Sequence, residues 1–118
     1  MRFQVSFLLV LTALSAQDKQ EKKEIPNPTN LKVLKLTAGS EVRQVMRTFT
    51  SGLGVQCSYC HAQGNMASDE NPKKEMARHM IEMTQKINAG FTDGKMHVTC
   101  FTCHRGEAEP KTVPEPKP

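Results

Sequence analysis

Apolar positions fall into four blocks, and their spacing differs from block to block. Val5 to Leu14 is a nearly unbroken apolar run. Leu31, Val33, Leu34 and Leu36 predict a short segment that is extended or docked against the rest of the chain. Val42, Val45, Met46, Phe49 and Leu53 recur at helical spacing and predict one apolar face. That helix is expected to open at Ser40 as N-cap, with Glu41 in its first turn, and to stop at Gly52 and Gly54. In the fourth block Met76, Met80, Met83 and Ile87 line one face of a second helix, while Lys73, Glu82 and Lys86 point elsewhere. This helix is expected to open at Asn71, with Pro72 in the first helical position, and to run to Ala89 before Gly90.

The first block has the form of an export signal. Arg2 gives a minimal basic start, the apolar run follows, and Ser15 or Ala16 offers a small residue for cleavage. The run is short for a bilayer span, so no stable membrane anchor is expected after cleavage. Residues 17–30 are charged and contain Pro26 and Pro28, which predicts a flexible lead-in. Residues 31–106 form the expected folded domain. Residues 107–118, with prolines at 110, 114, 116 and 118, predict a disordered tail.

The chemistry sits between and after the helices. Cys57-Ser58-Tyr59-Cys60-His61 and Cys100-Phe101-Thr102-Cys103-His104 contain all four cysteines of the chain. Each reads C-x-x-C-H, the attachment signature of c-type haem. Two thiols so spaced on one turn can each form a thioether to a haem vinyl group, and the adjoining histidine can bind iron from one face. Cys57, Cys60, Cys100 and Cys103 are therefore expected to carry two covalent haems, with His61 and His104 as proximal ligands. The competing readings are a four-cysteine zinc site, since paired C-x-x-C is also a zinc pattern, and a pair of structural disulfides. The two histidines, the export signal and the preceding methionine helices oppose the zinc site.

A second axial ligand for each iron is sought on the helices. Met46 lies eleven residues before Cys57 on the first apolar face, with no other methionine between the signal and the first motif. Core packing is the ordinary role of such a side chain, but an iron in need of a partner makes it a ligand candidate. The second helix offers Met76, Met80 and Met83, and periodicity does not choose among them. His79 lies about 100° of rotation from Met80, so both cannot face one iron; His79 is read as a solvated histidine.

The chain resembles the cytochrome c subunit of photosynthetic reaction centres. The likeness is carried by Arg47-Thr48-Phe49 through Cys57, by Ala77-Arg78-His79-Met80-Ile81-Glu82-Met83-Thr84 through Ile87-Asn88, and by Val98-Thr99-Cys100-Phe101-Thr102-Cys103-His104-Arg105-Gly106. It covers roughly residues 31–110. The resemblance implies a mainly α fold with little β structure, in which two helix–turn–C-x-x-C-H units pack around two haems. It also implies that the helix of each unit donates a methionine, which here makes Met46 and Met80 the distal ligands and leaves Met76 and Met83 as packing residues. The family carries four haems in two such pairs, and this chain has one pair. The family also uses a histidine after the second helix to reach a haem of the other pair. His97 is the nearby candidate; it is either an ordinary loop residue, the preferred reading, or reaches a haem in another molecule.

These features point to an exported, periplasmic dihaem cytochrome that transfers electrons. Its partners are expected to be redox proteins or a membrane electron-transfer complex. The alternatives are a peroxidase-like haem enzyme with an open iron position, in which His79 or His97 would have to supply acid–base chemistry, and a zinc-stabilised interaction module. The formal charge of +4 falls to +3 without Arg2, and haem propionates would bring the holoprotein close to neutrality. The basic excess is thus poor grounds for a nucleic-acid partner. A mature chain of about 100 residues is one small domain. It has no tryptophan, one tyrosine (Tyr59), and Phe49, Phe91 and Phe101 as its remaining phenylalanines. So thin an apolar complement predicts that apoprotein is largely unfolded. Far-UV circular dichroism and proteolysis of haem-free chain check this, and cooperative, protease-resistant apoprotein would contradict it.

Overall fold

The structure, a computed structural model, describes residues 23–118. The expected signal (1–16) and the lead-in up to residue 22 lie outside the described residues. The remainder is mainly helical, and among the described residues no strand forms. An isolated bridge joins Ala62 to Asn65 in the loop after the first motif. Three α-helices follow in order: α1 (Gly39–Leu53), α2 (Lys73–Ala89) and the short α3 (Cys100–His104). The first cysteine motif is a 3-10 turn, Cys57–Tyr59, and the second is α3 itself. No helix of the described residues is long and apolar enough to cross a membrane.

Helix α1 begins one residue before Ser40, and Ala38 rather than Ser40 stands at its N-cap. The local side-chain cap is supplanted by a distant one. Asn27 Oδ1 accepts the Gly39 N–H at 3.2 Å, and Glu41 Oε2 accepts that of Ala38 at 3.4 Å. Two of the orphan donors of the first turn are thereby satisfied. Gly54 ends the helix in the left-handed conformation at φ 63°, as expected. Gly52 does not. It lies inside the helix, buried, because the second motif packs on it there: a Cβ at position 52 would stand 3.0 Å from the Cys100 Cβ and 3.0 Å from the Phe101 nitrogen.

Helix α2 starts one residue later than expected, with Pro72 as its N-cap at φ −64°, ψ −22°. Asn71 still caps it, through Oδ1 to the Lys73 N–H at 3.0 Å. Gly90 closes it without leaving the right-handed region (φ −72°), its N–H returning to Ile87 and Asn88. The positions that face the rest of the chain are Lys74, Ala77, Arg78, Ile81, Thr84 and Asn88, all buried or half-buried. Met76, Met80, Met83 and Ile87 remain exposed, at 58, 39, 45 and 42%. At 100° per residue the two rows stand about 120° apart. The apolar face of the sequence pattern is therefore not the face on which the chain packs.

Among the described residues no hydrophobic side chain is fully buried, and the buried charged residue is Arg78. What holds the parts together is polar and close-range. Leu31, Val33, Leu34 and Leu36 are half-buried in an extended segment with Lys32 and Lys35 exposed. That segment is tied to the loop before α2 by Asn30 Nδ2 to the Ala67 carbonyl (2.7 Å) and Lys32 to Asp69 (2.7 Å). At the other end α1 packs on α3, where the Gly106 N–H donates to the Gly52 carbonyl at 2.9 Å.

The tightest of these approaches is at Gly54, where a Cβ would stand 2.0 Å from the Gly106 carbonyl oxygen on a backbone already at positive φ. Gly54→Ala is accordingly expected to destabilise the holoprotein by on the order of 1–3 kcal/mol. Thermal unfolding followed at the haem absorption measures it, and an unchanged melting temperature would show that the Gly54–Gly106 contact is not retained.

Candidate haem-attachment sites

Both motifs present a histidine in the same way. The His61 Nδ1 lies 2.9 Å from the Met66 carbonyl oxygen, and the His104 Nδ1 lies 3.0 Å from that of Glu107. A carbonyl oxygen can only accept, so in both rings the proton is on Nδ1 and the lone pair on Nε2. Metal-ligating histidines are held in this manner, with the far nitrogen bonded to a carbonyl or carboxylate that sets tautomer and ring orientation. Both side chains are half-buried.

No disulfide joins the four cysteines. In the first motif Cys57 is exposed and Cys60 half-buried; in the second Cys100 is half-buried and Cys103 exposed. Burial pushes the Cys60 and Cys100 thiols up from their ordinary value; Lys73 partly offsets this at Cys60. Among the described residues no three or more His, Cys, Asp or Glu side chains are grouped as a metal site would need. The two C-x-x-C pairs thus do not converge as a four-thiolate zinc site requires.

Helix α2 serves both motifs from its two ends. At its start Asn71 Nδ2 donates to the Tyr59 carbonyl at 3.0 Å and Lys73 Nζ to the Tyr59 hydroxyl at 3.0 Å. At its end Asn88 clamps the approach to α3: Oδ1 accepts the N–H groups of His97 (2.8 Å) and Val98 (2.9 Å), and Nδ2 donates to the Val98 carbonyl (2.7 Å). Thr99 and Thr102 then cap α3, the Thr99 N–H reaching Thr102 Oγ1 at 2.9 Å. Arg105 ends α3 at φ 55°, the one non-glycine residue in the left-handed region among those described, which turns the chain so that Glu107 meets His104.

The predicted distal residues sit on the two long helices. Met46 is half-buried on α1, and Met80 is on the open row of α2 between Met76 and Met83. His79 is exposed beside Glu75 (3.9 Å), off the methionine row. His97 is engaged locally: Nε2 lies 2.9 Å from Asp93 Oδ2, and the ring stacks on Phe91 with centroids 3.9 Å apart. A shallow concavity at the second motif is lined by Cys103, His104, Arg105, Glu107 and Lys111.

Sequence reasoning missed the polar frame around the first motif. Asp69 accepts from Arg78 (2.7 Å), Lys32 (2.7 Å) and Asn30 (3.0 Å), with Lys74 at 3.3 Å. Arg78 also bonds Glu75 at 2.8 Å, and Lys74 donates to the Met66 and Ser68 carbonyls at 2.9 and 2.7 Å. These donors, Arg78 first, hold the Asp69 carboxyl far below the ordinary value of 3.8. The signal for this cluster was slight, since isolated charges on an exposed helix read as solvated.

The donor set fits covalent haem. Each thiol pair adjoins an imidazole whose Nε2 is free to bind iron, and α2 carries a row of apolar side chains that the chain itself leaves uncovered.

A folded carboxylate pKa below its unfolded value adds stability above the unfolded pKa, and that stability is lost as pH falls toward the folded one. Asp69→Asn is therefore expected to lower holoprotein stability at neutral pH, with the gap to wild type narrowing as pH falls below about 4. Denaturant melts at several pH values measure this; a gap independent of pH would mean that the charge of Asp69 is not what matters.

The sequence comparisons agree with this geometry. The family model described as photosynthetic reaction centre cytochrome C subunit matches residues 3–117. The chain is 39% identical over 88 residues to the photosynthetic reaction center cytochrome c subunit of Rubrivivax gelatinosus, covering 71% of this chain and 24% of that protein. It is 36% identical over 116 residues to the subunit of the same name from Thermochromatium tepidum, covering 89% and 28%. Cytochrome c-554 of Chloroflexus aurantiacus is 38% identical over 89 residues, covering 70% and 21%. The chain spans about a quarter of the length of these relatives. With a mainly helical fold and a family model that takes in nearly every residue, this chain belongs to the photosynthetic reaction centre cytochrome c subunit family.

Proposed function

We propose that this chain is an exported, periplasmic dihaem c-type cytochrome that carries electrons, acting with redox partner proteins or a membrane electron-transfer complex. The observation that carries the reading is the pair of imidazoles, each following a C-x-x-C turn with Nδ1 bonded to a backbone carbonyl. In this reading residues 1–16 are the cleaved signal, 17–30 a lead-in whose last residues are tied to the domain through Asn27 and Asn30, 31–106 the haem-bearing domain and 107–118 a disordered tail.

Two bound haems supply one-electron Fe(III)/Fe(II) cycling. Cys57 and Cys60 hold one and Cys100 and Cys103 the other through thioethers. His61 and His104 offer Nε2 to the two irons, and the carbonyls of Met66 and Glu107 keep those rings oriented. Met46 and Met80 give thioether sulfur as distal ligands, which favours the ferrous state relative to a second histidine. Met76, Met83 and Ile87 cover apolar ring surface from the open row of α2. The polar ties at Asn71 and Asn88 keep the two motifs at fixed ends of one helix. The chain acts as a carrier, with no enzymatic role. His97, bonded to Asp93 and stacked on Phe91, is a loop residue that does not ligate iron.

Intact mass and visible spectrum of chain exported with a haem-attachment system test the central statement. The expected result is a gain of two haems with a thioether-haem spectrum, and any other stoichiometry overturns it. Met46→Ala and Met80→Ala are each expected to lose their haem's share of the ferric methionine-to-iron band, while His97→Ala leaves the spectrum as it is. An unchanged band in either methionine variant removes that ligand.

A further inference from the structure

The carbonyl that orients His61 has a second donor. Lys74 Nζ reaches the Met66 oxygen at 2.9 Å, the same distance as His61 Nδ1, and it also holds the Ser68 carbonyl at 2.7 Å. Its side chain is only 12% exposed. The second motif lacks this arrangement. His104 Nδ1 bonds the Glu107 oxygen at 3.0 Å, and among the described residues no ammonium or guanidinium donates to that oxygen.

We propose that Lys74 is a positioning residue that sets a potential, raising the reduction potential of the haem bound through His61 above what the same ligands give at His104. The proposal rests on the dihaem reading. Two effects act with one sign. An Nδ1–H that donates to a strong acceptor makes the imidazole a better electron donor at Nε2, which favours ferric iron. A carbonyl already bonded to a cation is a weaker acceptor for that proton, so His61 donates less charge to its metal than His104 does. The ammonium also places a fixed, poorly solvated positive charge behind the ring, and such a charge disfavours the more positive ferric state. Asp69 pairs with Lys74 at 3.3 Å, but that one carboxylate also receives Arg78 and Lys32, so a single negative charge faces three cations and does not cancel this one.

Spectroelectrochemical titration of the dihaem holoprotein tests this, with intact mass and spectrum taken first on every variant. Lys74→Met keeps the aliphatic stem and removes the charge and the donor. One potential is expected to fall, by a three- to tenfold change in the ferrous-to-ferric ratio at fixed ambient potential, about 30–60 mV for one electron. NMR of the thioether resonances should assign it to the Cys57–Cys60 haem, and Lys74→Arg should restore it. Lys74→Gln, which keeps a donor without the charge, should lower the same potential and carries the test if the methionine variant does not hold both haems. Unchanged potentials, an equal fall at both haems, or a fall that Lys74→Arg does not reverse would overturn the proposal. Wild-type chain carrying other than two haems would overturn the dihaem reading itself, and is recognised from the mass before any potential is read.

Discussion

Much of the fold is organised around a single kind of contact, the hydrogen bond from a histidine Nδ1 to a backbone carbonyl a few residues downstream. An imidazole can serve a metal only if one nitrogen is free and the ring is pointed, and this bond achieves both at once. It demands a carbonyl fixed in space, and a loop carbonyl is fixed only by what surrounds it. For the first motif the surrounding group is Lys74, itself held on α2 and near Asp69. For the second it is the turn at Arg105 and Gly106, anchored by the Gly106–Gly52 bond and the close pass of Gly54. The two motifs are chemically alike and structurally supported by different means.

That difference follows from how the units interlock. The sequence reads as two successive helix-then-motif repeats, yet α1 packs on α3, while Asn71, just before α2, bonds Tyr59 of the first motif and Asn88, in its last turn, bonds Val98 ahead of the second. Neither repeat is a free-standing half. A chain with so little buried apolar surface gains from this arrangement, because each short contact constrains two elements at once. The open row of Met76, Met80, Met83 and Ile87 shows where additional apolar surface is to be covered, and flat macrocycles are suited to such a row.

Much of this was legible in the sequence, and the parts that were not share a cause. The helices, their stops at Gly54 and Gly90, and the motif histidines follow from local spacing and turn chemistry, which the chain expresses within a few residues. Ser40 failed as a cap because Asn27, from a distant segment, took its place. Gly52 was read as a stop because glycine often is one, whereas its reason is the approach of Cys100 from nearly fifty residues away. The roles of Lys74 and Asn88 are hidden for the same reason: their partners, at Met66, Ser68, His97 and Val98, come from loops whose placement no local pattern encodes. The methionine row was seen correctly as one face, but periodicity alone could not say that this face turns away from the protein.

The length of α2 sets how far apart its anchor points lie. Its seventeen residues span about 25 Å; Asn71, just before it, bonds Tyr59 of the first motif, and Asn88, in its last turn, bonds His97 and Val98 ahead of the second. The fixed rise of a helix gives these two anchor points a set separation. Fixed spacing lets the tuning of one site proceed without disturbing the other. Lys74, in the first turn of α2, can bias the first motif while Asn88, at the last, holds the second in place. Two like C-x-x-C-H motifs thus stand in unlike surroundings, with Lys74 bonded to the carbonyl that orients His61 and the turn at Arg105 behind the one that orients His104.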